Sequence, residues 1–326
     1  MSAPVEPYKV FIIGCGAIAG GYDATDPQCP DVVQTHAKAF GLDDRFKVVG
    51  CYDPDQEKAR KFAALWNISE AASELERALS DLMPDVVCIC SPTKFHEQHL
   101  TLMRDRDIKL VICEKPLTDG IESSRAVVEK YLGSSTALTV NYTRRWNRAF
   151  QDLARRIADG EFGRLQRGTG WYNKGLYNNG SHMVDLFRMF FGDLTVTHAG
   201  QVEHDFWEDD PTISAGLRTA SDLHLHLAGT DVRDFQFFEF RLVMEKSVID
   251  MVDFGDRLVI RKLGEDGVPV RNAETIDTGR NRTFVELADN IANYLGGGET
   301  LKTSAQDALT TLEICAAIRQ MAGVRT

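Results

Sequence analysis

No CxxC pair occurs among the seven cysteines, which stand at 15, 29, 51, 88, 90, 113 and 315. The spacing speaks against a zinc site and the odd count against a disulfide framework. Cys15, Cys51, Cys88, Cys90 and Cys113 lie in or beside strand-like apolar runs, so reduced core thiols and no metal are expected. Positive charge is also scarce. The 37 Lys and Arg face 48 Asp and Glu, a formal net charge of −11, which argues against a nucleic-acid or anionic-membrane surface. No apolar run is long enough to span a bilayer, and the start MSAPVEPYKVFIIG lacks a basic stretch followed by an apolar one. Neither a secretory leader nor a membrane span is expected, and a cytoplasmic location is. No repeat or low-complexity linker interrupts the 326 residues. That length exceeds the usual single-core range, so two domains with a tight boundary and a cleft between them are expected.

What is present is alternation. Short β-branched runs at Val10–Ile13, Lys47–Tyr52, Val86–Cys90, Leu110–Cys113 and Ala137–Val140 are separated by helical patterns. The helices are expected near Gln34–Phe40, Asp55–Trp66, Ser73–Leu82, Glu97–Arg104 and Ile121–Leu132. Continuous apolar strands between helices predict a parallel sheet covered on both faces, the doubly wound α/β fold. After Asn141 the pattern changes. A helix carrying Arg144, Arg145 and Arg148 runs to Ala158, a strand ends at Tyr172, and a helix covers His182–Phe190. Strands then follow from Leu194 to Leu263, with the alternation of an antiparallel sheet in DLHLHLAG and FQFFEFRLVM. Helices at Thr283–Leu295 and after Thr303 close the chain, with Thr303 and Gln306 at capping-box spacing.

The stretch VFIIGCGAIAGG follows the first strand. Gly14 and Gly16 permit a tight turn and close approach of the backbone at Ala17 and Ile18 to a pyrophosphate, with Ala19 at the third fingerprint position. At the end of the second strand, Asp53 can accept from a ribose 2′-hydroxyl and repel a 2′-phosphate, which favours NAD over NADP. Asp53 lies 39 residues past Gly14, against roughly 20 in the usual fingerprint. The segment Gly21–Gln34 reads as an insertion that accounts for the excess, either reaching over a ligand or forming a surface loop. Ser91, Pro92 and His96 turn the chain at the carboxyl edge of the sheet, where ligands of such folds lie. His96 and His99 are close in sequence with no third ligand near, and His224 and His226 share a strand face, so metal binding is not expected at either pair.

The stretch KLVICEKPLTDG poses a sharper question, because a core strand ends by presenting Glu114 and Lys115 before Pro116. At this edge Lys115 can donate to a substrate oxygen, Glu114 can hold or neutralise it, and Pro116 fixes the exit. A second constellation is GLYNNGSHMVDLFRMFFGD. His182 and Asp185 lie one helical turn apart there, and a histidine titrating near neutrality suits proton exchange with a substrate hydroxyl.

Together GCGAIA, EKP, NYTRRWNRAF and NNGSHMVDL resemble the Gfo/Idh/MocA oxidoreductase family, nearly end to end, and VIDMVDFGDRLVIRK and TSAQDALTTLEICAAIRQ look like its late hairpin and closing helix. The resemblance implies a Rossmann domain over residues 1–141 and an α+β domain over 142–326, whose large open, mostly antiparallel sheet would join copies into a homodimer or homotetramer. It implies NAD(P)-dependent oxidation or reduction at a carbinol carbon of a sugar, inositol or nucleotide-linked sugar. Lys115 matches the lysine that orients the substrate oxygen, and His182 the usual proton donor or acceptor. Many members place an aspartate where this chain has Asn178. An amide can bind a hydroxyl but cannot ionise, which makes Asp185 a candidate substitute partner for His182. Tyr142, Arg144, Arg145 and Trp146 match a segment near the cleft, where arginines suit a substrate phosphate or carboxylate. Two rival readings stand beside this one. One is a glycosidase of the same fold that uses NAD transiently, and the other a non-catalytic NAD-binding sensor.

Overall fold

The computed structural model describes residues 6–324. The contacts of the chain fall into two compact units, the first holding the chain up to Trp146 together with Asn281–Leu309, the second Asn147–Arg280 and the chain from Thr310 on.

The first unit opens with β1 (Tyr8–Ile13), α1 (His36–Gly41), β2 (Phe46–Tyr52), α2 (Gln56–Leu65), β3 (Glu70–Ala72), α3 (Leu75–Leu82) and β4 (Val86–Ile89). It continues through α4 (His96–Arg104), β5 (Leu110–Cys113), α5 (Ile121–Leu132), β6 (Ala137–Val140) and the short α6 (Thr143–Trp146). The six strands form one parallel sheet in the order β3-β2-β1-β4-β5-β6. Every residue of β4 and β5 is buried, as expected where helices cover both faces and apolar side chains fill both sides. The order reverses between β1 and β4, and such folds bind ligands at that switch point. Sequence periodicity missed β3, a Glu-Ala-Ala strand too short to show a pattern.

The expected insertion lies inside a helix. After β1 the chain makes one loose turn, with Gly21 N bonded to Gly16 O and Tyr22 N to Ala17 O, then leaves. It returns in register, because His36 N bonds to Ile18 O and Ala37 N to Ala19 O. Hydrogen bonds spaced as in a continuous helix thus bridge the excursion. The buried Asp23 sews it shut. Its Oδ2 accepts from Gln34 N at 2.9 Å and from Thr35 Oγ1 at 2.6 Å, and the buried Lys38 ammonium lies 3.9 Å from its Oδ1. Lys38 also donates to Asp26 O. The far end docks through Val33 N on Asn281 O and Arg282 Nη1 on Pro30 O.

The second unit is built from α7 (Arg148–Ala158), β7 (Leu165–Tyr172), α8 (Ser181–Phe191) and β8 (Leu194–Glu203). Next come β9 (Thr212–Thr219), β10 (His224–Gly229), β11 (Phe238–Met244), β12 (Ser247–Val252), β13 (Arg257–Lys262) and β14 (Glu274–Asp277). The strands form one sheet ordered β14-β13-β12-β11-β7-β10-β9-β8, antiparallel except for β7 beside β10. Phe238, Phe240 and Leu242 of β11 point to a core shared with Met183, Phe187 and Phe190 of α8. Gly170 of β7 admits that helix closely, since a Cβ there would come within 2.6 Å of the Met183 side chain. The helix expected from Arg144 to Ala158 is two helices, because Asn147 caps α7 with its side-chain oxygen on Ala149 N and Phe150 N. The sheet also has one strand more than the expected series, β14, which is exposed and carries little apolar pattern.

The chain then returns to the first unit with α9 (Thr283–Leu295), whose Phe284, Leu287 and Ile291 join the core beside β1 and β4. A boundary placed after Asn141 assigns this helix elsewhere, because sequence order carries no sign of the return. The last helix, α10 (Ala305–Met321), begins in the first unit and continues into the second. Its capping pair is Ser304 with Asp307, one residue later than expected: Ser304 Oγ accepts from Asp307 N, and Asp307 Oδ2 from Ser304 N, both at 3.1 Å. Thr303 is instead buried, with its carbonyl accepting from Thr139 Oγ1 at 2.6 Å. No helix among the described residues is long and apolar enough to cross a membrane.

Two expectations for stability follow. Replacing Asp23 with Ala removes two hydrogen bonds and leaves the buried Lys38 charge uncompensated, which should cost about 2–4 kcal/mol in urea unfolding. Amide exchange over 21–34 should quicken in that variant, and unchanged exchange would show that Asp23 does not hold the segment. Gly14 has a φ of 89° and a Cβ there would sit 2.6 Å from Ser91 N, so Gly14→Ala should lower stability by at least about 2 kcal/mol in the same measurement.

Candidate active site

In the first unit the candidate residues gather at the carboxyl ends of β1, β2, β4 and β5. Only a residue without a Cβ lets the turn after β1 touch the turn after β4, which is what Gly14 does against Ser91. Two residues later the backbone lies open, since a Cβ on Gly16 would meet nothing within 4 Å. Asp53 stands beside this turn. Its Oδ2 accepts from Cys15 N at 2.9 Å and Lys58 Nζ at 2.8 Å, and its Oδ1 from Asp55 N at 3.1 Å. Burial alone would raise the Asp53 carboxyl, but the Lys58 hydrogen bond and the two amides outweigh it and hold it below the ordinary carboxylate value. A glycine turn at the switch point, open at Gly16, with an ionised carboxylate at the end of β2 fits a dinucleotide with its ribose on Asp53.

Ser91 and Pro92 form the turn after β4, and Ser91 Oγ bonds to His99 Nδ1 at 3.0 Å. Burial, with His96 adding to it, pushes the His99 imidazole down to about 4, so it is neutral at pH 7. His96, expected among the cofactor contacts, is buried instead. Its Nε2 lies 2.8 Å from Ser91 O and its Nδ1 2.9 Å from Pro116 O. Both ring nitrogens are taken up by backbone, so this side chain acts from behind, tying the end of β4 to the segment that follows Lys115.

Glu114 leaves β5 with its amide on Ile89 O. Its Oε1 accepts twice, from His36 Nε2 and from Asn141 Nδ2, each at 2.7 Å. Asn141 in turn accepts from Trp146 Nε1 at 3.0 Å. Burial would raise the Glu114 carboxyl; the His36 hydrogen bond and charge, Asn141 and the adjacent Lys115 ammonium together hold it below its ordinary value. Lys115 itself is half-buried, and the peptide to Pro116 is cis. Tyr142 and Trp146, expected to line a substrate site, are almost wholly buried in the first unit's two cores. Their neighbours Arg144 and Arg145 are half-buried, with Arg145 3.5 Å from Asp307 in the first turn of α10.

In the second unit the chain enters α8 through a π-wound turn, Gly175–Gly180. Asp210 caps that turn, accepting from Tyr177 N at 2.8 Å and Asn178 N at 2.9 Å. Gly175, at φ 87°, leaves room for the cap, because a Cβ would fall 2.2 Å from Asp210 Oδ2. Asn178 and His182 are half-buried and stand one turn apart, with Asn178 Nδ2 donating to Lys174 O at 3.0 Å. Asp185, the candidate partner for His182, is buried and accepts from Thr311 Oγ1 of α10 at 3.3 Å. Its place in that core makes it a strut between α8 and α10.

Sequence reasoning did not single out His36, Asn141, Lys58 or Asp210. The first is hidden because the insertion destroys its spacing from the glycines. Asn141 opens the NYTRRWNRAF stretch without standing out in it, Lys58 and Asp210 carry no motif, and only the fold brings the three to Glu114, Asp53 and the turn before α8.

Known proteins bear on this arrangement. Residues 8–142 match the model of an oxidoreductase family with an NAD-binding Rossmann fold, Gfo/Idh/MocA. Over 176 residues the chain is 27% identical to 4-carboxy-2-hydroxymuconate-6-semialdehyde dehydrogenase of Sphingobium sp., covering 48% of this chain and 55% of that protein. Over 118 residues it is 31% identical to the NAD(+)-dependent scyllo-inositol 2-dehydrogenase of Bacillus subtilis, covering 36% and 34%. The chain thus spans about half the length, or less, of these curated relatives. Two solved structures share the fold across their length. The 3-ketoreductase KijD10 of Actinomadura kijaniata in complex with NADP has a TM-score of 0.77 at 17% identity, covering 97% of this chain and 98% of that one. The WlbA dehydrogenase of Bordetella pertussis in complex with NADH and UDP-GlcNAcA has a TM-score of 0.77 at 19% identity, covering 97% of each. The glycine turn, Asp53 and the Glu114–Lys115–Pro116 strand end all lie inside the segment, residues 8–142, that matches the Gfo/Idh/MocA oxidoreductase family model.

Proposed function

We propose that the protein is an NAD-dependent oxidoreductase that moves a hydride between nicotinamide and a ring hydroxyl or keto carbon of a sugar, inositol or nucleotide-linked sugar. The observation that carries this reading is a lysine at the carboxyl end of β5, two strands from the glycine turn in the sheet order, beside a carboxylate that is kept ionised. The family match and the relatives that act on inositols support it.

When bound, the nicotinamide supplies the hydride acceptor or donor. Gly14, Gly16, Ala17 and Ile18 offer backbone to the pyrophosphate, and Asp53 accepts from the ribose 2′-hydroxyl. A 2′-phosphate would meet the Asp53 charge, which favours NAD. Lys115 donates to the reacting oxygen and stabilises negative charge as it develops there. His182 takes the hydroxyl proton in oxidation and returns it in reduction. Asn178 holds a neighbouring hydroxyl, which an amide can do in either direction without ionising. Joining of copies through the open sheet of the second unit belongs to the same proposal.

Lys115→Ala and His182→Ala should each lower kcat by at least about 100-fold on a panel of inositols, sugars and nucleotide sugars, with cofactor binding retained in both. Full activity in both variants would end the assignment. The same assay separates the rival readings, because release of free sugar without accumulating NADH marks a glycosidase. Bound cofactor with no turnover across the panel marks a sensor. Asp53→Ala removes the carboxylate and frees Lys58 for a phosphate, so it should move the kcat/KM ratio of NAD to NADP toward NADP by about tenfold or more. An unchanged ratio would separate Asp53 from cofactor choice.

A further inference from the structure

The ion pair at the end of β5 has a support that neither the motif nor the fold explains. His36 is completely buried, edge-on to Phe284 at 4.9 Å and stacked with Phe40 at 6.5 Å. Its Nε2 makes one hydrogen bond, to Glu114 Oε1, and its Nδ1 is buried with no hydrogen-bond partner among the described residues. A buried polar ring that leaves one nitrogen unsatisfied costs free energy. The bond it does make goes to the carboxylate that precedes Lys115 in the chain. The second bond to that same oxygen comes from Asn141, which Trp146 and the Cys113 carbonyl hold in place. Glu114 Oε2 accepts no hydrogen bond from the described residues, so one oxygen is anchored and the other is left to its surroundings.

We propose that His36 is a positioning residue for the reaction described above: with Asn141 it fixes one oxygen of Glu114, and through Glu114 it sets the charge that stands beside Lys115. The inference rests on the oxidoreductase reading for its purpose, but its geometry lies wholly in the first unit. A nicotinamide cation near Lys115 would strip the proton from the ammonium, and an ionised Glu114 opposes that. Glu114 is buried enough that burial is the largest influence on it and favours the neutral acid. The His36 hydrogen bond is the first of the influences that reverse this.

Among the described residues, the titratable groups that feel Glu114 include the thiols of Cys88 on β4, Cys90 just after it and Cys113 on β5. Burial raises all three well above the ordinary thiol value, and the Glu114 charge raises them further. They stay neutral, so they place no second charge beside the carboxylate. The interrupted helix explains how His36 gets there, because bridging hydrogen bonds to Ile18 and Ala19 restore its register after the insertion.

The sign of the pH effect is fixed. Glu114 titrates below its ordinary 4.5 in the folded protein. Its contribution to stability is therefore present above that value and is lost as pH falls through the folded one. Losing the His36 donor removes the first of the lowering influences and moves the folded value upward.

The test follows carboxyl and ammonium titrations by NMR in protein labelled at Glu and Lys side chains, with the resonances assigned by their loss in Glu114→Gln and Lys115→Arg. His36→Leu keeps the volume and removes the donor, and His36→Gln keeps an N–H near the position of Nε2. In the Leu variant Glu114 should titrate higher, and Lys115 lower, than in the parent, while the Gln variant lies between. In turnover, the Leu variant should lose about tenfold in kcat with the cofactor KM nearly unchanged, and the basic limb of its pH profile should move down. Gln should recover part of both. Asn141→Leu, which removes the other donor from the same oxygen, should move Glu114 in the same direction and serves if His36→Leu does not fold. Glu114 and Lys115 titrating as in the parent in folded His36→Leu or Asn141→Leu protein would overturn the proposal. Shifted titrations in a protein whose parent turns over no hydroxyl substrate would leave the charge coupling intact and sink the oxidoreductase reading instead.

Discussion

An ionised carboxylate at the end of a buried strand is the constraint around which the first unit is arranged. β5 is apolar throughout, and the chain must leave it carrying Glu114 and Lys115. A carboxylate in such a place loses its water, and the loss is tolerable only when donors replace it. The donors come from far apart in sequence, His36 from the helix after β1 and Asn141 from the end of β6. Each needs its own fixing, by Phe284 and Phe40 around the ring and by Trp146 on the amide. A single charge thereby ties together β5, β6, α1 and α9, and the return of α9 from later in the chain serves the same purpose as the sheet.

Much of the first unit was legible in the sequence because its signals are local. Continuous apolar runs such as VVCI and LVIC have no other stable place than a parallel sheet with both faces covered, and glycines after the first strand mark the turn. What escaped was non-local. Nothing in Thr283–Leu295 says that it packs beside β1, and nothing near Asn147 says that its side chain ends one helix and begins another. The site divides along the same line. Gly14, Asp53, Glu114 and Lys115 announce themselves by position at strand ends. His36 does not, since its meaning depends on a distance that the insertion erased. His96 and Asp185 show the converse, two polar residues with suggestive spacing that the fold spends on holding backbone and helix in place.

The second unit solves a related problem with opposite means. Its candidate residues sit on a helix entrance that is wound wide and held by Asp210, whose two oxygens take the Tyr177 and Asn178 amides in the middle of the turn. A π-wound segment is costly for a backbone and is common where a side chain must be aimed. Here it carries Asn178 and leads directly to His182. Asn178 places an amide where many members of the resembled family carry an aspartate, and Asp185, buried on the same helix as His182, accepts from Thr311.

The excursion between Gly21 and Thr35 has an outcome of a different kind. Because hydrogen bonds bridge its two ends as though nothing intervened, the loop is mechanically a side branch, and the scaffold on either side of it carries no memory of its length. A lineage could lengthen, shorten or recolour the exposed part of that branch so long as the Asp23 clasp at its neck and the docking of Pro30 and Val33 survive. New contacts at the rim of the molecule can be tried there at little risk, which makes the branch a natural place for related chains to differ.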